Sequence, residues 1–323
     1  MKAATLIATL FAAGVLAAVP ATHAAQDRAI VSAAFKSVFY LPVYVAEERG
    51  YFKDEGLDVR IDVASSSTNA LAAVISKSAD FSLHGPEWTA ISAGRGAPVK
   101  VVGGTLNRLG VWLTCKPAVN FESFKSLKGL TVATGTMPTT SSSVFLKLVK
   151  QAGLDAKKDL NVLEVPLGNE IGPLVAGQAD CAVLYEPNAS QAESQGFKVV
   201  SAFSKEIGPY TFSAISTRKD IDAAVNRKFV TGIDRALKNI HTDREAAVAS
   251  GLKLFPNLDP KVVRASVLRL IDDGVFAQSV ALEPAALKDA LQTQVDLGNL
   301  AALPAEGTLV DLKAANEAAA KKY

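Results

Sequence analysis

The 323-residue sequence has little of what metal and redox chemistry draw on: two cysteines, three histidines, two methionines and two tryptophans. Two cysteines cannot staple a chain of this length as a disulfide scaffold, and no close-spaced Cys or His pair nominates a zinc site, so no metal is expected. Cys115 and Cys181 either bond to each other or remain buried free thiols. Neither sign of charge dominates, with 34 basic and 32 acidic side chains along the length. That balance excludes the basic stripe of a nucleic-acid binder and any long charged tail. After the leading apolar run, no stretch approaches the roughly 18 apolar residues that a spanning helix needs.

Apolar residues, at 49%, are plentiful enough for a large core, and the length suggests two domains. Met1-Lys2, the apolar run from Ala3 to Val19 and the small residues from Pro20 to Ala25 follow the order of a secretory signal peptide. Cleavage after Ala24 or Ala25 is expected, with no cysteine there for a lipid anchor, leaving the mature chain free in a bacterial periplasm.

From Ala29 the chain alternates strand-type runs with helical patterns: strands at Ala29 to Phe35, Leu57 to Val63, Phe81 to Leu83 and Val99 to Val102, helices at Leu41 to Arg49 and Thr68 to Ser78. A second series has strands at Leu130 to Thr134, Asn161 to Val165 and Cys181 to Leu184, with a helix over Ser141 to Ala152. Such alternation predicts mostly parallel sheets covered by helices on both faces. The segment Asn69 to Asp80 aligns without gaps on Asn169 to Asp180, placing Leu71, Val74 and Ile75 on Ile171, Leu174 and Val175. Each copy reads as an amphipathic helix, an Ala-Asp turn and a buried strand, the second helix starting later because of Pro173. After Arg218 the pattern is helix after helix, with Phe229, Ile233, Leu237 and Ile240 at helical spacing and starts at Asp259-Pro260 and Glu283-Pro284. Val111 to Cys115 and Phe212 to Thr217 bracket the second series and are candidates for two crossings between lobes.

Catalytic signatures are missing. There is no Gly-x-Ser-x-Gly elbow, no P-loop and no dinucleotide fingerprint, because Gly94-Arg-Gly96 lacks the third glycine and the helix. No cofactor is expected. Beyond the signal only His84 and His241 could serve as imidazole bases.

In open parallel sheets ligands sit beyond the carboxyl ends of the strands, so the loops after each strand are the place to look. The first series offers Phe39 and Tyr40, then Ser66 and Ser67, then His84, Gly85, Glu87 and Trp88; the second offers Gly135, Thr136, Thr140 and Ser141, then Asn169, then Tyr185 and Glu186. Two of these loops enter helix N-termini, at Thr68 or Asn69 and at Thr140 or Ser141, where free N–H groups either hold a polar ligand or are simply capped. Phe39, Tyr40, Trp88, Trp112 and Tyr185 can stack on a flat solute or serve as core. Glu87 and Glu186 follow strands at matched places in the repeat; as ligand contacts they favour N–H donors or positive charge, and otherwise they are solvated rim residues.

The segment Ala46-Glu-Glu-Arg-Gly50-Tyr-Phe-Lys-Asp-Glu-Gly56-Leu-Asp-Val resembles the early signature of NMT1/THI5-like substrate-binding proteins of ABC importers. Further similarity runs through Ser78-Ala-Asp80-Phe, Gly96-Ala-Pro-Val-Lys100-Val-Val, Ser126-Leu-Lys-Gly-Leu-Thr-Val132-Ala and Gly177-Gln-Ala-Asp180-Cys-Ala-Val with Glu186-Pro187, so that it spans Ile30 to Thr217. The resemblance implies an α/β, type II periplasmic-binding-protein fold: two doubly wound lobes joined by two crossover strands, with a helical C-terminal region. Lobe 1 is then expected over 26–112 and 216–323, lobe 2 over 113–215. It implies capture of a small nitrogen-containing or anionic organic solute, of pyrimidine or sulfonate type, by hinge closure. Delivery to permease subunits with their ATPase is implied too, by a monomer that does not bind nucleic acid. The cysteine-rich motif of the family's eukaryotic pyrimidine synthases is missing, which argues against catalysis. The competing readings are an enzyme on the same bilobal fold, a lyase or pyrimidine-modifying protein using Glu87, His84 or Glu186 as acid or base, and a nitrate-type anion binder.

Overall fold

The computed structural model describes residues 26–323, so the expected signal peptide and its cleavage position lie outside the described residues. Ten strands follow in order: β1 (Asp27–Ala33), β2 (Leu57–Val63), β3 (Phe81–His84), β4 (Val99–Leu106), β5 (Trp112–Cys115), β6 (Thr131–Gly135), β7 (Asn161–Val165), β8 (Cys181–Leu184), β9 (Lys198–Ala202) and β10 (Ser213–Arg218). They form two five-stranded sheets, ordered β2-β1-β3-β10-β4 and β7-β6-β8-β5-β9. The central strands β3 and β8, Phe-Ser-Leu-His and Cys-Ala-Val-Leu, are buried at every position, because helices cover both faces.

Each sheet takes in one antiparallel strand from the other side of a crossing: β5 lies between β8 and β9, and β10 between β3 and β4. The sequence pattern suggested crossings at Val111 to Cys115 and Phe212 to Thr217; the residues from Trp112 and Ser213 onward are instead these inserted strands. The crossings themselves run over 107–111 and 203–212. β1 also differs from its expected span, since its pairing with β2 ends at Ala33 opposite Val63, which releases Phe35 from the sheet edge.

The internal echo at an offset of 100 residues is a structural one. Asp80 and Asp180 each accept from the backbone N–H of the neighbouring strand, Ile30 at 2.9 Å and Thr131 at 3.0 Å, and each donates its own N–H back to that strand residue's carbonyl. Each also meets a cation at the end of the inserted strand, Arg218 or Lys116, both at 3.1 Å. The turn before them has a positive φ in both copies, 65° at Lys77 and 77° at Gly177. The repeated Ala-Asp thus ties strand β3 or β8 to its parallel neighbour. Asp80→Ala and Asp180→Ala should each cost about 1–3 kcal/mol in urea unfolding, since each leaves a partly buried N–H unpaired. Ile75 and Val175, expected on the buried helix faces, instead turn outward and are 41% and 49% exposed, so burial rests on Leu71, Val74 and Leu174.

Cys115 and Cys181 face each other across β5 and β8 and are disulfide-bonded. Beyond β10 the chain is helical, and the 20-residue helix Ala223–Thr242 buries Phe229, Ile233, Leu237 and Ile240. Phe229 stacks between Phe52 at 5.2 Å and Phe81 at 4.0 Å, which fixes this helix to the first sheet. Phe52 approaches so closely that a Cβ on Gly232 would lie 2.5 Å from its ring, so a glycine is required there. The helices Pro260–Asp272 and Pro284–Asp296 then reach across to the second sheet's helices. Arg269 meets Glu186 at 3.2 Å and pairs with Glu193, while Ser143 bonds Gln294 at 3.2 Å and Lys147 bonds Thr293 at 3.1 Å.

Candidate functional site

The strand ends of the two sheets face one another, and the loops after them close on a small cavity of about 30 Å³. From the first sheet's side come Phe35, Phe39 and Tyr40 after β1, Ser67 after β2, and Gly85 and Glu87 after β3. The second sheet supplies Thr139 and Thr140 after β6, Leu167 after β7 and Tyr185 after β8, while the second crossing adds Phe212 and the start of β10 adds Ser213. Five of these twelve lining residues are aromatic. Tyr185 lies 5.3 Å from both Phe35 and Phe39, and Phe39 lies 5.4 Å from Phe212. An outer cavity of about 280 Å³ shares Phe35 and Tyr185 with the inner one, so this ring pair forms the partition between them.

The two halves are joined at the cavity by hydrogen bonds. Thr140 Oγ1 donates to Glu87 Oε1 at 2.6 Å, and Ser37 Oγ donates to the Glu186 carbonyl at 2.8 Å. Thr140 opens the helix Thr140–Gln151, whose N-cap residue Thr139 makes no side-chain cap bond. The Glu87 carboxylate, on the helix Pro86–Gly94, takes that place from the opposite half, and the Thr140 backbone N–H also favours its charged form. Burial works the other way and wins, pushing Glu87 up to about 7. A Cβ on Gly85 would lie 2.2–2.3 Å from both Glu87 carboxyl oxygens and 2.3 Å from Thr140 Oγ1, so this juncture depends on the missing side chain.

Of the residues the sequence nominated, Phe39, Tyr40, Ser67, Gly85, Glu87, Thr140 and Tyr185 line the inner cavity. Ser141 stands just behind, buried and hydrogen-bonded to the Tyr185 hydroxyl. Gly135 ends β6 next to Thr139, while Thr136 is exposed and donates to the Val165 carbonyl at 3.1 Å. Ser66 caps its helix through the Asn69 N–H, and Asn169 is exposed. His84 is buried within its own half: Nδ1 donates to the Gly85 carbonyl at 2.8 Å, which leaves Nε2 to accept from Ser82 at 3.0 Å. Burial lowers it to about 4, so it is neutral. Trp88 packs beside Leu71 and Val74, and Trp112 packs under Arg269 and donates to Asp273 at 3.2 Å. The Glu186 carboxylate is held by Ser190 and Arg269 and lines the outer cavity. Among the described residues, no group of three or more His, Cys, Asp or Glu is placed to hold a metal ion.

Sequence reasoning missed Phe35, Leu167, Phe212 and Ser213, and passed over Thr139 and Glu170 within the loops it located. Phe35 was hidden by assignment to the strand, and Leu167 adjoins a nominated loop. Phe212 and Ser213 stand where the second crossing meets β10, nearly 130 residues away from Gly85, and no local signal marks them. Glu170 is fully buried, neither carboxyl oxygen has a hydrogen-bond donor in good geometry among the described residues, and Oε1 would lie 3.0 Å from a Cβ on Gly135. Burial raises it to about 7, against weaker pulls from its own backbone N–H and that of Gly168.

These two carboxyl groups set a pH dependence. A carboxyl raised to about 7 binds its proton more tightly in the folded than in the unfolded chain, so the stability it contributes is complete below about 4.5 and is lost as pH climbs through 7. Each should give a slope of about −1 kcal/mol per pH unit in that window. His84, lowered to about 4, has the opposite sign between 4 and 6.5. Net unfolding stability should therefore fall most steeply from pH 6.5 to 7. Glu87→Gln or Glu170→Gln should each flatten the profile, as read by urea titrations at pH 5, 6, 7 and 8.

The pattern of the NMT1/THI5-like family matches residues 39–247, which takes in the second sheet and every strand of the first except β1. YtlA of Bacillus subtilis (strain 168), provisionally named a binding protein, is 30% identical over 246 residues, 72% of each chain. The formylaminopyrimidine-binding protein of Halalkalibacterium halodurans is 26% identical over 189 residues, 57% of this chain and 56% of that one. Among solved structures, the periplasmic aliphatic sulphonate binding protein SsuA of Escherichia coli superposes with a TM-score of 0.71 at 16% identity, over 84% of this chain and 92% of that one. The strand orders with one inserted antiparallel strand per sheet, and this superposition, give the type II periplasmic-binding-protein fold. With the early Ala46 to Val59 signature and both copies of the Ala-Asp turn inside the matched span, the chain belongs to the NMT1/THI5-like family.

Proposed function

We propose that this chain is the solute-binding component of an ABC import system, which takes up a small nitrogen-containing organic solute between two lobes and hands it to permease subunits driven by their ATPase. Each lobe is built on one sheet, with the C-terminal helices on the first. The observation that carries this reading is the cavity itself: loops from both sheets meet at Glu87, Thr140, Phe39 and Tyr185, and among the described residues the chain passes between the two sheets only twice. A solute touching both lobes stabilises the closed arrangement by its contacts with each, and a permease can then distinguish loaded from empty protein. A relative named for binding a formylaminopyrimidine supports a nitrogen-containing solute. The disulfide suits an oxidising, exported compartment such as a periplasm. No catalytic residue is assigned, and His84, the base an enzyme would recruit, spends both ring nitrogens inside its own half.

Native mass spectrometry of the purified protein should reveal a copurifying small molecule, and adding it back should raise the unfolding midpoint and shrink the radius of gyration in X-ray scattering. Chemical conversion of that molecule during incubation would instead make the protein an enzyme.

A further inference from the structure

The charge of the inner cavity goes further, on the footing that the chain binds a solute there. None of the twelve residues lining it is Lys, Arg or His, and its one ionisable carboxyl is Glu87. The N-terminus of the helix Thr140–Gln151, the usual seat for an anion, is already occupied by that carboxylate. A second carboxyl, Glu170, stands behind Gly135 and Tyr185 with neither oxygen satisfied by a hydrogen bond. In the inner cavity an anionic solute would enter as a further negative charge; the cation beyond the partition, Lys36 of the outer cavity, lies over the Phe255 ring at 5.2 Å. A cation would find a counter-charge, an unspent negative field and the faces of Phe35, Phe39 and Tyr185, to which positive charge is attracted.

We propose that the cavity selects a solute with a cationic, N–H-bearing group on a flat body, with Glu87 as the counter-ion that determines specificity and Glu170 adding to the negative field. Room for it comes from parting Phe35 and Tyr185, which merges the inner and outer cavities into a space near the lower bound of about 300 Å³ for ligand pockets. Quaternary ammonium ions fit less well, because they bring no donor to the Glu87 oxygens left over by Thr140. Sulfonates, carboxylates and nitrate are disfavoured by like charge at Glu87, which Lys36 at the far side of the merged space does not cancel.

Three probes of one shape test this: benzamidinium, benzamide and benzoate, titrated calorimetrically into the purified chain at pH 8. Benzamidinium should bind at least about tenfold more tightly than benzamide, the ratio expected of a charge-assisted pair in a desolvated site, and benzoate should bind weakest. Glu87→Gln keeps an acceptor for Thr140 and should fold with an unchanged or higher unfolding midpoint, yet lose that preference for the cation. Benzoate binding as tightly as benzamidinium, no benzamidinium binding, or a Glu87→Gln protein with the preference intact overturns the charge assignment. A copurifying solute that proves neutral or anionic also overturns it while leaving solute capture standing. Failure of every solute in a broad panel counts against solute capture itself.

Discussion

Gly85→Ala should leave the protein folded but lower its affinity for solute about 100-fold. The added methyl carbon would fall 2.2 Å from Glu87 Oε1 and 2.3 Å from Thr140 Oγ1, well inside contact distance. Both obstacles are ends of side chains, so in the open state Glu87 can swing into solvent at little cost. Closure is different, because it requires the Glu87 carboxylate, Thr140 and the solute to share the space beside Gly85. Losing one charge-assisted hydrogen bond there, together with misplacement of the Glu87 oxygens, corresponds to about 10- to 150-fold in affinity. Gly94→Ala, at the far end of the helix that Gly85 precedes and with nothing within 4 Å of the new carbon, is the control and should bind normally. Calorimetry gives the affinities, and X-ray scattering with and without solute shows whether compaction is lost. If Gly85→Ala compacts and binds like the parent, the Glu87–Thr140 juncture is not part of the closed, loaded state.

Replacing both Cys115 and Cys181 by alanine should remove about 3–4 kcal/mol of stability with little change in affinity. The bond closes a loop across a sequence separation of 66, and restricting that loop in the unfolded chain accounts for about 4 kcal/mol by chain entropy alone. Its position explains why binding is spared. It pins β5, the strand inserted from the first crossing, to β8 at the Cys115 and Cys181 end, whereas the loops that line the cavity leave the opposite end of β8 at Leu184. Urea unfolding of the double variant, and of the parent with reductant present throughout, should give the same displaced midpoint. An unchanged midpoint would mean the β5–β8 pairing needs no covalent support.

The parallel strands and most helices were legible because their apolar periodicity is strong and local. Cys181 to Leu184 is continuous and apolar, and it is buried on both faces. The inserted strands were not, since nothing in Trp112-Leu-Thr-Cys115 says that its neighbours are β8 and β9 rather than β4. That choice is made by long-range pairing, and so is the arrival of Phe212 at the cavity. The site was half legible for the same reason. Strand ends located the right loops, but whether a side chain enters the cavity or turns back into its own lobe depends on rotamers and partners. Glu87 and Glu186 look alike in the sequence; Arg269, more than 80 residues downstream, claims one of them and leaves the other to the cavity. Trp88 follows Glu87 by one residue, a turn of about 100° along the helix, and so points into Leu71 and Val74.

Because Asp80 and Asp180 fasten equivalent strands by the same bonds, positions 85–88 and 185–188 occupy matching stations on two nearly identical mounts. One mount carries Gly-Pro-Glu-Trp and the other Tyr-Glu-Pro-Asn, so the two jaws hold unlike tools at like places. Retuning such a receptor for a new cargo is then a matter of exchanging a few residues at the tips, while the mounts that keep each jaw rigid are left alone.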